Sequence, residues 1–106
     1  MLPFKDFNDL SKFLAKQEIA FCNFRFTDPR GKWHHITYHI EQLVQNIFTH
    51  GVMFDGSSIS GWKEINNSDM IMRPDLSSAF MDPFSSYPTM VFICDIIDPD
   101  DHKLYE

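Results

Sequence analysis

This 106-residue chain predicts an α+β fold, a mixed sheet with a helix packed across it, and three features carry that prediction. Phe4, Phe7, Leu10, Phe13 and Leu14 recur at spacings of three and four, the pattern of an amphipathic helix. Ile19–Thr27 alternates at period two, and after a turn Lys32–Tyr38, rich in aromatic and β-branched residues, reads as the returning strand of a hairpin. Thr89–Ile97 (TMVFICDII) is the strongest strand pattern in the chain. The length fits one small domain, residues 1–106, and leaves no room for two independent cores.

Each element has a local reason. The first helix is expected from residue 3 to about 16, with Pro3 in its first turn, where a missing N–H costs nothing. In the first strand Ala20, Cys22, Phe24 and Phe26 share one face. Ile19, Phe21, Asn23 and Arg25 share the other, and apolar residues on both faces at its start suggest a central strand. Thr27-Asp28-Pro29-Arg30-Gly31 is turn chemistry. A second helix is expected from about Ile40 to His50, with Ile40, Leu43, Val44, Ile47 and Phe48 as its stripe and Gly51 at its C-terminus, where positive φ is wanted. Val52–Phe54 reads as a short strand, residues 55–69 as an ordered loop, and Met70–Met72 as a strand ending at Arg73-Pro74-Asp75. Ser78–Met81 is a weaker strand, Asp82–Pro88 a turn, and the closing DPDDHKLYE a charged linker or cut end. Helix, hairpin, helix and then strands fit a β-grasp.

Composition narrows the function classes. With 43% hydrophobic and 23% charged residues the chain is neither a disordered tail nor a membrane span, and no apolar run approaches the roughly 18–20 residues a spanning helix needs. No cationic start, apolar run and cleavage site mark a signal peptide, so the sequon Asn66-Asn67-Ser68 carries little weight and a cytoplasmic location is expected. Nine basic against fifteen acidic side chains give a net charge of −6, unsuited to nucleic acid. Cys22 and Cys94 alone make no disulfide framework and no four-ligand zinc site, and read as core thiols. Eleven phenylalanines supply a core or an apolar surface meant for a partner.

The stretch Phe54-Asp55-Gly56-Ser57-Ser58-Ile59-Ser60-Gly61-Trp62 places a carboxylate, two glycines, three hydroxyls and an indole directly after an apolar strand. Loops leaving a rigid strand often carry function. The structural alternative is a glycine-permitted turn in which Asp55 bonds nearby backbone N–H groups. GSSISG lacks the lysine and glycine spacing of a phosphate-binding loop. Of the histidines at 34, 35, 39, 50 and 102, His34 and His35 are adjacent on a strand and face opposite sides, so no metal site is expected and a small metal-binding protein is disfavoured. No motif sets a base beside a serine or cysteine nucleophile.

At this loop a family resemblance becomes specific. FDGSS, the eight residues ISGWKEIN, then Asn67-Ser68-Asp69-Met70-Ile71-Met72 resemble the N-terminal signature of type I (bacterial) glutamine synthetases. Phe24–Asp28 with Gly31-Lys32, Ser68–Asp75, Ala79–Phe84 and Cys94-Asp95-Ile96 resemble the family's other segments in order, from about residue 18 to the end. The resemblance implies a β-grasp N-terminal domain of a ligase that joins ammonia to L-glutamate through γ-glutamyl phosphate, using ATP and Mg2+ or Mn2+ held by a large C-terminal domain. It implies a homo-oligomer, a dodecamer of two hexameric rings, in which this domain completes the active site of the adjacent subunit. Carried over, Asp55 matches an ammonium-binding, proton-accepting aspartate, Ser58 its hydrogen-bonding companion, and Trp62 an aromatic at the wall of the neighbouring active site. Gly61–Asp69 has Glu64 where the feedback-inhibited subgroup resembles GFVRIEESD with arginine, so the chain is more similar to the subgroup regulated by tyrosine adenylylation. The isolated domain is expected to be inactive. The rival expectation is a free-standing β-grasp interaction module without catalysis.

Overall fold

A computed structural model describes residues 4–27, 31–55 and 69–97. The first helix, α1 (Phe7–Lys16), starts later than the apolar spacing suggests, and Pro3 lies outside the described residues. Asp6 sets the start: its carboxylate accepts from the Asp9 N–H at 2.8 Å, satisfying a donor that the first turn leaves open. At the other end Ile19 N–H donates to the Leu14 carbonyl at 3.1 Å and Glu18 N–H to that of Ala15 at 3.3 Å. This is a Schellman closure, with Glu18 at φ 53° in the place glycine usually takes. Leu14 and Ile19 are both buried, the apolar contact that accompanies such a closure.

Strands β1 (Phe21–Thr27) and β2 (Trp33–His39) form the expected antiparallel hairpin, with Phe24 opposite Ile36. Gly31 has φ 85°, as the turn reading requires, while residues 28–30 of that turn lie outside the described set. The expected second helix divides in two. His39 and Gln42 cap a 3-10 turn at Ile40–Gln42, with Glu41 N–H on His39 Nδ1 at 3.3 Å and His39 N–H on Gln42 Oε1 at 3.2 Å. Leu43 and Val44 are then extended, and α2 is only Gln45–His50. The break turns Leu43 into the core and leaves Val44, an expected stripe residue, 50% exposed.

Gly51 follows with φ 81° and ψ −176°, a combination open essentially to glycine alone. A Cβ there would stand 2.9 Å from the Met72 carbonyl oxygen, so the residue combines turn geometry with close approach to the next strand. The chain then enters β3 (Val52–Asp55), and returns in β4 (Asp69–Pro74). β4 runs through the expected break to Pro74, whose rung pairs with β6 alone, so a residue without an N–H is tolerated there as on an edge. A 3-10 turn at Leu76–Ser78 replaces the start of the expected Ser78–Met81 strand, leaving β5 as Phe80–Met81. The last described strand is β6 (Thr89–Ile97).

The strands order as β2-β1-β6-β4-β3, with β5 on β6. β1 and β6 run parallel, Phe24 level with Phe92, and the other pairings are antiparallel. The sheet is therefore mixed, and β1 is internal, as the apolar start of both its faces suggested. One face carries the core: Cys22, Phe24 and Phe26 with Met90, Phe92, Ile96, Met70 and Met72, covered by Leu10 and Leu14 of α1 and by Phe48 of α2, which meets Phe92 edge-on at 5.2 Å between centroids. Each fully buried phenylalanine contributes about 1.5–3 kcal/mol relative to exposure. This is the helix-across-sheet arrangement expected of a β-grasp. No helix among the described residues is long and apolar enough to cross a membrane.

Candidate functional site

Asp55 is the last residue of β3, and its Cα partner across the hairpin is Asp69, the first residue of β4. The pairing holds both feet of the FDGSS segment on a rigid frame. Below them Met70 and Met72 are wholly buried, and β4 is itself paired to β6 at Ile71–Ile97 and Met72–Ile96. Gly51 lets the chain turn from α2 directly into this hairpin. Two aspartates at one rung are a juxtaposition that strand register creates and linear spacing does not reveal. Ser58 and Trp62 lie outside the described residues, so the three expected site residues are represented by the backbone position of Asp55.

The histidines have structural places. His34 stacks on Phe26, with centroids 5.7 Å apart, while His35 on the opposite face contacts Asn23 Nδ2 through Nδ1 at 3.1 Å. His39 caps the 3-10 turn, and His50 Nδ1 meets Thr49 Oγ1 at 2.9 Å. Among the described residues no group of three or more His, Cys, Asp or Glu converges to hold a metal. Cys22 and Cys94 are buried free thiols, pushed up by burial to about 11 and about 12 respectively. They are poor nucleophiles, since the thiolate is the reactive form.

The sheet face away from the helices carries a groove of about 700 Å³ floored by β1 and β2. Asn23, only 6% exposed, donates to Thr37 Oγ1 at 2.8 Å and accepts from Arg25 Nε at 2.8 Å. Arg25 reaches across to Asp82 at 3.4 Å and lies 5.8 Å over the Phe80 ring. Aromatic rings stand at the margins: Trp33 is 58% exposed, Tyr87 65% and Phe84 94%. Sequence alternation identifies Asn23 and Arg25 as one face of a strand. It does not bring Asp82, almost sixty residues away, beside them.

Residues 18–99 match the family model described as glutamine synthetase, β-grasp domain. The chain belongs to that family. Two of the curated relatives of this glutamine synthetase β-grasp domain are glutamine synthetases of Bradyrhizobium diazoefficiens, 46% identical over 95 residues, and Rhizobium meliloti, 47% identical over 98 residues. A third, 43% identical over 98 residues, is named 3-hydroxylaminophenol mutase, from Cupriavidus pinatubonensis. The alignments cover 90–92% of this domain and 20–21% of those proteins, so it spans about a fifth of their length. The solved glutamine synthetase of Plasmodium falciparum superposes on 99% of the domain, and the domain covers 20% of that chain, with a TM-score of 0.81 at 19% identity. That likeness establishes the fold.

Proposed function

We propose that this domain is the N-terminal part of a bacterial-type glutamine synthetase, a cytoplasmic ligase that makes L-glutamine from ammonia and L-glutamate with ATP through γ-glutamyl phosphate. The observation that carries the reading is the family match over residues 18–99, within which FDGSS leaves the last rung of the β3–β4 hairpin. The residues described here do not form a metal site, so Mg2+ or Mn2+ and ATP are assigned to the large remainder of the enzyme and no step is routed through them. The proposed assembly is a homo-dodecamer of two hexameric rings, in which the domain completes the site of the adjacent subunit. The domain alone is expected to make no glutamine.

Within that site Asp55 is given two duties. Its carboxylate attracts ammonium in a partly dehydrated site, where opposite charges interact more strongly than in water. It then takes one proton from ammonium, leaving ammonia with a free electron pair to attack the γ-carbonyl carbon. Ser58 is assigned a hydrogen bond to the same ammonium, and Trp62 the wall that shields it. In the full-length enzyme Asp55→Ala is expected to lower glutamine synthesis by about 10²–10⁴-fold, the range for a positioned acid–base group, with the assembly intact by light scattering. Wild-type turnover by that variant would remove Asp55 from the mechanism. The mutase relative, nearly as similar as the synthetases, supports a second reading. A full-length enzyme that isomerises 3-hydroxylaminophenol and makes no glutamine would favour it.

A further inference from the structure

We infer that the open sheet face, at the groove between Trp33, Phe84 and the Arg25–Asp82 pair, is a second docking surface, occupied by an uncharged apolar segment of the large remainder of the full-length polypeptide. The inference rests on the proposed reading of this chain as one domain of a longer enzyme. Its first support is a presented aromatic. Phe84 is 94% exposed, yet its turn is braced: its own N–H donates to Asp82 Oδ1 at 2.9 Å, Ser85 and Thr89 hydroxyls meet at 3.0 Å, and Thr89 Oγ1 donates to the Tyr87 carbonyl at 2.9 Å. A ring held out on a braced turn, with Tyr87 and Trp33 exposed beside it, makes the kind of apolar patch that marks an interaction surface.

The floor supplies the chemistry of the occupant. Asn23 spends both ends of its amide on Arg25, Thr37 and His35, and Arg25 has Asp82 as counter-ion. The network is closed and its two charges cancel. Covering it with an uncharged surface strands no buried charge, whereas an anionic ligand would meet the Asp82 carboxylate beside the arginine. Aromatic rims around a satisfied polar centre are what protein interfaces present.

Position separates this surface from the FDGSS end. Ile71 is level with Ile97, Asp69 lies two residues beyond it, and Thr89 at the foot of the groove lies eight residues before it. Roughly 33 Å of strand therefore separates Asp69 from Thr89 at about 3.3 Å per residue. A contact at the loop alone leaves the far end of the domain free to swing, and catalytic geometry has to be held within about 0.5 Å by rigid support. A second contact at the groove fixes the orientation. The protein available to make it is the four-fifths of the relatives' length that this chain does not span.

The test uses the full-length enzyme and three variants. Phe84→Asp is expected to lose the assembled species in sedimentation velocity and to lose turnover with it, while Phe84→Leu keeps both and far-UV circular dichroism is unchanged. Asp55→Asn is expected to lose turnover and keep assembly. A Phe84→Asp enzyme that assembles and turns over like wild type overturns the docking surface, whatever Asp55→Asn does; it is also the result a small-ligand groove would give. Normal turnover by Asp55→Asn, with Phe84→Asp dissociated, overturns the active-site reading and leaves the docking surface standing. Hydroxyl-radical footprinting of the wild-type enzyme decides the case if Phe84→Asp aggregates. Phe84 and Tyr87 are expected to be shielded compared with the same rings in a peptide digest, and equal oxidation would sink the inference.

Discussion

Residue chemistry in this domain is clearest at the two thiols. Cys22 faces the core from β1 and Cys94 from β6, and burial holds them at about 11 and about 12 against an ordinary value of 9.0. Between those limits the unfolded chain releases thiol protons that the folded chain retains, so stability is fully present below pH about 9 and falls as pH rises. The slope is at most about 1.4 kcal/mol per pH unit for each thiol. Urea melts at pH 8 and pH 10 should therefore show a lower midpoint at the higher pH, with Cys22→Ser/Cys94→Ser removing the thiol share of the difference. An unchanged difference in that variant would mean that other groups carry it. Both thiols should also stay unlabelled by a disulfide reagent in the native state and react after denaturation. Their burial was legible from the sequence because cysteine lay in phase with phenylalanine along each strand. The neighbour of Asp55 was not legible. Asp69 comes opposite it through a register set by the whole β3–β4 hairpin.

At the scale of elements, the chain between β4 and β5 shows what pattern reading misses. β4 and β5 border β6 at its two ends, and between them the backbone leaves the ladder in the Leu76–Ser78 turn. The gap is bridged by one hydroxyl: Ile93 N–H donates to Ser78 Oγ at 2.8 Å, and Ser78 Oγ donates to the Asp75 carbonyl at 2.6 Å. Asp75 N–H completes the bridge on the Ile93 carbonyl at 2.9 Å. Ser78→Ala keeps the volume nearly unchanged and leaves the Ile93 N–H without its partner. It should cost about 1–3 kcal/mol, the desolvation penalty of a buried donor left unpaired, measured by chemical denaturation. A loss below about 0.5 kcal/mol, the ordinary scatter of a surface change, would show that water takes over the role. Period two found β1, β2 and β6 because each is long enough to alternate. Ser78–Met81 is too short, and a side chain standing in for backbone has no sequence period at all. The second helix failed for a related reason: Ile40, Leu43, Ile47 and Phe48 keep helical spacing, but the His39–Gln42 cap closes the first turn early.

The whole molecule is organised around β6, and its stability should be graded outward from that strand. β6 pairs with β1 along its first half on one side, with β5 and β4 on the other, and its Met90, Val91 and Phe92 are wholly buried. None of this order is visible in the linear chain, because the parallel β1–β6 pairing joins residues nearly seventy positions apart. β3, in contrast, is four residues long, lies at the sheet margin, pairs with β4 alone among the described strands, and exposes Met53 by 59%. Local opening free energies span from near zero to the global value, and elements with few buried contacts open first. Native-state amide exchange should therefore show Met90–Phe92 and Cys22–Phe24 protected up to global unfolding, with Val52–Phe54 exchanging through a smaller local opening. The β3–β4 hairpin carries Asp55 to the end of the sheet, so this gradient sets the proposed catalytic carboxylate on the part of the domain that yields most readily. Binding there would add protection to β3 and little to β6, since β6 is already limited by global unfolding. Equal protection of β3 and β6 in the free domain would show instead that the sheet opens as one unit, with Asp55 held as rigidly as the core.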